Sequence, residues 1–223
     1  CNRIRETLHL PENKIMAIYN GFSNHFQPLD NIETVTQKYI PVTGYLFFLG
    51  NTDPKKNTPR TLKAYYSYLQ QSKEKRPLLI ADLKPEFVDE MLKETGLENI
   101  RPYLYLPGYI PNIDLPFIYN GAFAFLYTSL RESFGIPLLE AMACGIPVIT
   151  SDTSSMPEIG GEGAILTDPT NERSIAAQLL LLEQDKEYYQ KQSAYGLGRA
   201  KCFSWEQTAR ELLKLYQSTV KSK

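Results

Sequence analysis

Short apolar runs recur along the chain, and segments with a helical spacing of apolar residues lie between them. The apolar runs cover residues 45–50, 77–81, 103–108, 122–127, 146–150 and 164–168. Helical spacing is found over residues 61–71, 85–95 and 114–120, and again within residues 126–150. Solid apolar runs that alternate with helices are typical of a parallel sheet covered by helices on both faces. We therefore predict an α/β fold with such a sheet.

The first 44 residues do not follow this alternation. Residues 2–9 have a helical pattern that Pro11 ends, and residues 14–21 form a short apolar segment that finishes with an Asn-Gly turn pair. These features predict a helix followed by a strand. Residues 22–44 contain prolines and mixed polar residues without periodicity, so we interpret them as a linker or hinge.

The C-terminal part of the chain is predicted to be helical. Apolar residues recur at helical spacing over 171–184, and a second helix is predicted over 186–200. Ser204 has the position of an N-cap, with Gln207 as its capping-box partner, ahead of a last amphipathic helix over 205–216. The predicted division of the chain is therefore residues 1–44, 45–203 and 204–223.

Composition excludes several classes of protein. The 223 residues carry a formal net charge of −1, which gives no general attraction to nucleic acid or to an acidic membrane. The 3 cysteines are widely spaced, so they form neither a zinc framework nor a disulfide scaffold, and this usage suits a reducing compartment. No apolar run approaches the roughly 20 residues that a membrane-spanning helix needs. We expect the chain to be part of a longer protein.

Residues 126–150 combine an apolar run, a polar loop, a short helical pattern and a second apolar run. Gly135 and Pro137 are suited to the start of the helix, since glycine allows close approach to the backbone and proline lacks an N–H group. The unpaired N–H groups and the dipole at a helix start favour an anion such as a phosphate. Glu132 and Glu140 flank this point, and we expect their carboxylates to accept hydrogen bonds from vicinal hydroxyls rather than to act as an acid/base pair.

A basic loop follows the first strand of the predicted sheet, at the same end as Glu132. Its Lys55 and Lys56 could neutralise a diphosphate and stabilise it as a leaving group. The alternatives are a solvated basic turn for the lysines, a solvent-facing loop residue for Glu132, and a residue stabilised by the helix dipole for Glu140. No His, Asp or Glu cluster has metal-ligand spacing.

Taken together, these motifs resemble the retaining glycosyltransferases of GT-B architecture, specifically the group 4 family of nucleotide-sugar-dependent enzymes. The segment ESFGIPLLE at 132–140 looks like the Glu-x7-Glu signature of that family. FLGNTDPKKN at 48–57 resembles its phosphate loop, LPGYIPNIDLPFIYNGA at 106–122 its base-binding segment, and IYNGF at 18–22 its hinge. The resemblance implies that residues 45–203 are a Rossmann-like donor-binding domain in the C-terminal half of a GT-B enzyme. Residues 1–44 would be the end of the N-terminal domain with the interdomain hinge, and the helix within 204–223 would cross to that missing N-terminal domain.

The resemblance also implies a role for each matching residue. Glu132 would contact donor-sugar hydroxyls and Glu140 the ribose, while Lys56 would bind the diphosphate. Lys56 and Glu132 are the candidate catalytic residues, and neither Glu132 nor Glu140 is expected to act as a catalytic base. Many members have Arg where this chain has Asn51, after the strand glycine Gly50, and some have Arg in place of Lys55, which alters diphosphate geometry because Lys lacks the fork of Arg. The remaining donor contacts would come from Phe134, Gly135 and Ile136 for sugar and diphosphate, and from Tyr109, Ile110 and Leu115 for the nucleobase.

The implied activity is transfer of a hexose from a nucleotide-diphosphate sugar to an acceptor with retention of configuration, in polysaccharide biosynthesis. TSSMPE at 153–158 looks most like mannosyltransferases, which favours GDP-mannose and leaves a UDP-sugar open. No cofactor or metal ion is implied. The acceptor, a glycan or a lipid-linked sugar, would be bound by an N-terminal domain that this chain lacks, so we expect no transfer by the 223 residues alone. We expect a cytoplasmic protein, and leave open whether the absent domain contacts the membrane.

Two alternative functions remain open. The first keeps the fold but changes the chemistry to a GT-B sugar-nucleotide epimerase or a phosphorylase, although no pyridoxal-phosphate lysine site is evident. The second is a non-catalytic nucleotide-binding module whose Glu and Lys residues lie on the surface. An NAD-binding domain is disfavoured, because no GxGxxG sequence follows a strand.

Overall fold

In the computed structural model, which describes residues 2–9, 11 and 14–221, six parallel strands form one sheet. The strands are β1 (Tyr45–Leu49), β2 (Leu78–Ala81), β3 (Leu104–Gly108), β4 (Ala122–Tyr127), β5 (Val148–Ser151) and β6 (Ile165–Thr167). Their order is β3-β2-β1-β4-β5-β6. The chain builds the sheet outward from β1 to β3 and then returns to place β4 on the other side of β1. Ligands bind beyond the carboxyl ends of the strands at such a reversal.

Helices cover both faces of this sheet, which confirms the predicted Rossmann-like α/β fold. Leu46 and Phe48 of β1 belong to a core cluster with residues of neighbouring helices, and Phe47 faces the other way, where its ring meets that of Tyr119 at 5.2 Å. The strand is therefore buried on both faces, and this is why its sequence is solidly apolar. The helices are α1 (Asn2–Leu8), α2 (Glu33–Thr36), α3 (Thr58–Leu69), α4 (Pro85–Thr95), α5 (Leu115–Gly121), α6 (Ile136–Ala143), α7 (Met156–Gly160), α8 (Glu172–Gln184), α9 (Lys186–Ala200) and α10 (Trp205–Lys221).

The predicted strand over residues 14–21 is wrong. This segment has no strand pairing and runs as irregular backbone after a single turn at Lys14. One of its carbonyl groups is bound by a helix instead, since Thr208 Oγ1 of α10 donates a hydrogen bond to the Tyr19 carbonyl at 2.6 Å. The Tyr19 ring also meets the edge of Phe203 at 5.8 Å. A short apolar segment can form either a strand or irregular backbone, and the residues that pack against it determine which of the two it forms.

Two compact units divide the chain, Asn24–Cys202 and the pair of segments Cys1–Ser23 and Phe203–Lys223. The larger unit thus begins before residue 45, where we had predicted the start of the donor-binding segment. Residues 24–44 contain α2 and are attached to α5, since Leu29 N–H donates to Asn120 Oδ1 at 2.9 Å and the Phe26 ring meets Tyr119 at 5.8 Å. Whether the units correspond to domains of a longer protein stays a prediction.

The residues before α5 and α10 differ in how they cap their helices. Asp114 directly precedes α5, but its carboxylate makes no cap hydrogen bond and instead accepts one from Tyr39 Oη at 2.6 Å. Ser204 Oγ does accept a hydrogen bond from Gln207 N–H at 3.1 Å, which confirms the N-cap of α10. The reciprocal half of the capping box is absent, because the Gln207 side chain donates to Glu211 of the next turn.

Candidate functional site

The loop between β1 and α3 holds the candidate phosphate lysines. Asn51 Oδ1 accepts a hydrogen bond from Asp53 N–H at 2.9 Å, and a 3₁₀ turn over Pro54–Lys56 follows. Asn57 then adopts a left-handed conformation, and its buried side chain donates to the carbonyls of Thr128 at 3.0 Å and Pro169 at 2.7 Å. These bonds fix the loop against the carboxyl ends of two other strands, so Lys56 emerges at a defined point.

Lys56 and Glu132 form an ion pair at this end of the sheet. Lys56 Nζ donates to Glu132 Oε1 at 2.8 Å, and the two side chains are only 17% and 14% exposed. Nζ also lies 5.4 Å from the centre of the Tyr127 ring, at the end of β4. An ammonium group has three donors, so Lys56 can keep this contact and still bind a second anion.

The loop that carries Glu132 is held by residues of the next loop along the sheet. Ser154 Oγ accepts from Glu132 N–H at 3.1 Å and donates to Glu132 O at 2.8 Å. Ser155 Oγ donates to the carbonyl of Phe134 at 3.0 Å. Leu130 N–H donates to the carbonyl of Lys55 at 2.7 Å. The serines of the TSSMPE stretch thus position the candidate sugar-binding carboxylate.

The helix start predicted at Gly135 is present. Gly135 is the N-cap of α6 with φ 102°, which favours glycine, and Pro137 occupies the first turn. The Glu132 loop leads directly into this N-terminus, with the anion-attracting N–H groups of the first turn. Glu140 follows one turn later on the same helix.

A cleft of 270 Å³ opens beside α6 at the carboxyl ends of β1 and β2. Five of the sequence-predicted donor residues line it together, namely Tyr109, Ile110, Leu115, Ile136 and Glu140. Among them, Tyr109 is 72% exposed, whereas Ile110 is 2% exposed. Most of the other lining residues are apolar as well, and together they are Leu49, Ala81, Asp82, Asn112 and Pro137.

Glu140 is the most perturbed carboxylate of this cleft. Burial raises the pKa of Glu140 from its ordinary 4.5 to about 7, and a hydrogen bond donated by Tyr119 Oη to Oε2 at 3.3 Å opposes the rise. An ionised, poorly solvated carboxylate gains from any hydroxyl donor that enters the cleft. Glu140 is therefore chemically suited to hold a diol.

We predict that Glu140→Gln stabilises the protein at alkaline but not at acidic pH. Between about pH 4.5 and 7 the folded state keeps a proton on Glu140 that the unfolded state has lost, so wild-type stability falls as pH rises through this window. Glutamine removes that dependence. In urea unfolding, the free energy of unfolding of the variant should exceed that of wild type by on the order of 3 kcal/mol at pH 8, and by almost nothing near pH 4.5. If this difference in free energy did not change with pH, the prediction would be wrong.

Other predicted site residues shape the loops or lie outside the cleft. Gly50 is buried, and a Cβ there would lie 2.9 Å from the Phe48 ring. Lys55 pairs with Asp53 at 3.0 Å, and both side chains are largely exposed. Lys55 also lines a separate polar pocket of 310 Å³ with Arg131, Glu132 and Ser133. Their predicted donor-binding roles stay predictions.

Sequence reasoning missed Asp82, Asn112 and Tyr127. Asp82 and Asn112 line the cleft, and Tyr127 lies beside the Lys56–Glu132 pair, where burial and the neighbouring Glu132 carboxylate raise its pKa. A usable signal existed for two of them, because Asp82 directly follows a strand and Tyr127 ends one.

The part of the chain that the structure describes offers neither a metal site nor a membrane-spanning helix. No group of three or more His, Cys, Asp or Glu residues there could hold a metal ion. No helix there is both long and apolar enough to cross a bilayer. The expectation that the reaction needs no metal stays a prediction.

Comparison with known proteins identifies a family. Residues 41–199 match the family model described as Glycosyl transferases group 1. The chain is 31% identical over 220 residues to O-antigen chain mannosyltransferase B of Escherichia coli, covering 97% of this chain and 58% of the relative. It is 27% identical over 215 residues to the serotype-specific mannosyltransferase WbdA of Escherichia coli, covering 94% of this chain and 26% of the relative.

Solved structures show the same fold. Alr3699/HepE of Anabaena, crystallised in complex with UDP and glucose, superposes with a TM-score of 0.76 at 21% identity. The alignment covers 91% of this chain and 57% of that one. This neighbour and the two relatives are all longer than this chain, which spans 58% of one mannosyltransferase and 26% of the other.

Proposed function

Since the chain belongs to the group 1 glycosyl transferases, with a GT-B fold, we propose that it is the donor-binding half of a retaining mannosyltransferase. The observation that carries the proposal is the Lys56–Glu132 pair, which lies where the Glu132 loop enters α6, the helix that also carries Glu140 into the cleft. The cation and the helix N-terminus would suit the phosphates of a nucleotide sugar. The two carboxylates would suit the hydroxyls of its sugar and of its ribose.

Each part of the donor has a partner in this arrangement. The diphosphate would contact Lys56 and the N–H groups of the first turn of α6, at Gly135 and Ile136. Glu132 would accept hydrogen bonds from hydroxyls of the transferred sugar, and Glu140 from those of the ribose. The nucleobase would enter the apolar part of the cleft, which Tyr109, Ile110 and Leu115 line.

Lys56 supplies the main chemical assistance in this scheme. When the bond between the anomeric carbon and the diphosphate oxygen breaks, its electron pair leaves with the diphosphate, and the Lys56 ammonium neutralises the added charge. Electrostatic stabilisation of this kind is commonly a large catalytic contribution. The acceptor oxygen forms the new bond on the face that the diphosphate leaves, which retains configuration, and the acceptor proton passes to the departing diphosphate.

The donor and acceptor are proposed from the relatives. Both Escherichia coli relatives are named mannosyltransferases, one of them for the O-antigen chain, and this supports GDP-mannose and a growing glycan or lipid-linked acceptor. The Anabaena neighbour was crystallised with UDP and glucose, so a UDP-sugar is the competing donor. Because the relatives are longer, we propose that residues beyond this chain bind the acceptor, in the cytoplasm, and that the chain alone does not catalyse transfer.

Titration calorimetry with GDP, UDP and ADP tests the donor site directly. We expect GDP to bind with one site per chain and more tightly than the other two nucleotides, and GDP-mannose to compete for the same site. Thermal unfolding in the same ligands provides a second measure, because binding to the folded state raises the unfolding midpoint. Failure of all three nucleotides to bind would overturn the proposal, and a preference for UDP would overturn the choice of donor.

A further inference from the structure

Asp82 occupies an unusual position at the rim of the cleft. It directly follows β2 and has φ 61°, in the left-handed region that Asp adopts far less readily than Gly. Its N–H donates to the carbonyl of Gly108 at 2.9 Å, and Gly108 immediately precedes the cleft residues Tyr109 and Ile110. Backbone bonding therefore places Asp82 at the end of the cleft formed by the segment after β3.

The Asp82 carboxylate has no hydrogen-bond or ion-pair partner among the described residues. Its side chain is exposed to the cleft, while surrounding protein atoms raise its pKa and the charge of Lys56 opposes that rise. A carboxylate accepts hydrogen bonds only, through two oxygens. A ligand that binds beside Asp82 is therefore favoured if it carries N–H or O–H donors.

The polar side chains that line this cleft are Asp82, Asn112 and Glu140. Glu140 lies on α6, the helix that also contributes Ile136 and Pro137 to the lining. Asp82 is bonded to Gly108, directly before the lining residues Tyr109 and Ile110, and most of the other lining residues are apolar. An apolar slot with a carboxylate at its edge suits a flat heterocycle that presents donors on one edge.

We propose that Asp82 is a specificity-determining residue that accepts hydrogen bonds from two adjacent N–H groups on the nucleobase edge, and thereby selects guanine. The inference rests on the proposed donor site and concerns which nucleotide that site takes. Guanine carries an imino N–H and an exocyclic amino group side by side, so both carboxylate oxygens are used, as in other paired charge-assisted contacts.

The other common bases fit this carboxylate less well. Uracil has one imino N–H between two carbonyl oxygens, so one carboxylate oxygen would face an acceptor. Adenine presents an amino group beside a ring nitrogen that is itself an acceptor. A charged acceptor left facing an acceptor loses its hydrogen bond and its hydration together. Discrimination thus comes from repulsion of the wrong base as well as attraction of guanine.

The test compares GDP with inosine diphosphate, which lacks only the exocyclic amino group of guanine. Calorimetry should give the wild-type chain roughly ten-fold or greater preference for GDP, as expected for one charge-assisted hydrogen bond. Asp82→Asn should bind GDP roughly ten- to a hundred-fold more weakly than wild type, with UDP affinity changed by less than about two-fold. In both Asp82→Asn and Asp82→Gly the preference for GDP over inosine diphosphate should disappear.

Asp82→Gly provides the folding control, because glycine adopts φ 61° without strain and the variant should unfold at no lower temperature than wild type. A merely structural role for Asp82 would change all affinities together and leave the ratio of GDP to inosine diphosphate intact. That unchanged ratio would overturn this inference and leave the donor site standing. Absence of any nucleotide binding to the wild-type chain would instead overturn the donor site, and the inference with it.

Discussion

Lys56→Ala is expected to weaken nucleotide diphosphate binding by roughly a hundred-fold or more, the largest effect of any single substitution at the site. The Lys56 side chain is 17% exposed and pairs with Glu132, whose loop leads into α6, so the diphosphate would exchange water for a poorly solvated cation. Removing a charge from such a hydrogen-bonded contact commonly costs several kcal/mol of binding free energy. Calorimetric titration with GDP measures the loss.

A second effect of Lys56→Ala must be separated from the first. Without its partner, the Glu132 carboxylate is left with 14% exposure and no counter-charge, which should destabilise the folded chain by about 2 kcal/mol. Combining Lys56→Gln with Glu132→Gln replaces the ion pair by neutral groups of similar size. We expect the double variant to recover most of the stability measured by urea unfolding and none of the GDP affinity.

Lys55→Ala is the matched control for Lys56, since it removes a cation from the same loop. Lys55 pairs with Asp53 at 3.0 Å, and the two side chains are 51% and 43% exposed. Exposed pairs contribute little to stability, so the unfolding free energy should be almost unchanged, and GDP affinity should change by less than about five-fold. If Lys55→Ala weakened binding as much as Lys56→Ala, the assignment of the diphosphate to Lys56 would be wrong.

The sheet could be predicted because burial on both faces leaves a strong sequence signal. β4 was predicted over residues 122–127 and has those bounds. The helical spacing over residues 85–95 matches α4, and Gly96 follows that helix at φ 66°. The strand predicted over residues 14–21 was wrong because this segment is short and apolar, without any periodicity that distinguishes a strand from irregular backbone. Its hydrogen-bond partner lies on α10, a contact between distant parts of the sequence.

Individual site residues could be predicted, whereas their contacts could not. Gly135 and Pro137 indicated the start of α6, and strand ends located Lys56 near Glu132. The ion pair itself joins residues 76 positions apart and depends on how Ser154 holds the Glu132 backbone. No local pattern encodes such a distance. The pKa of Glu140 likewise depends on how closely other elements of the fold surround it, which becomes evident only from the structure.

Gly21→Ala is expected to cause the largest loss of stability. A Cβ on Gly21 would lie 2.1 Å from Trp205 N and 2.4 Å from Ser204 C, both backbone atoms at the start of α10. Side-chain rotation cannot relieve such a clash, so the backbone must move, and Thr208 would lose part of its contact with the carbonyl of Tyr19. Overpacking commonly costs 1–3 kcal/mol, and we expect about 3 kcal/mol or more here.

Thermal unfolding and hydrogen exchange of the α10 amides measure this effect. A loss of about 3 kcal/mol lowers the midpoint by roughly 6–12 °C in a chain of this size, or exposes α10 to exchange if this unit opens by itself. Gly198→Ala is the control, because no atom lies within 4 Å of the added Cβ and the residue is inside α9. That variant should gain about 0.5–1 kcal/mol from the higher helix propensity of alanine. If Gly21→Ala unfolded and exchanged its α10 amides as the wild-type chain does, residues 19–21 and the start of α10 would not be held at this close distance.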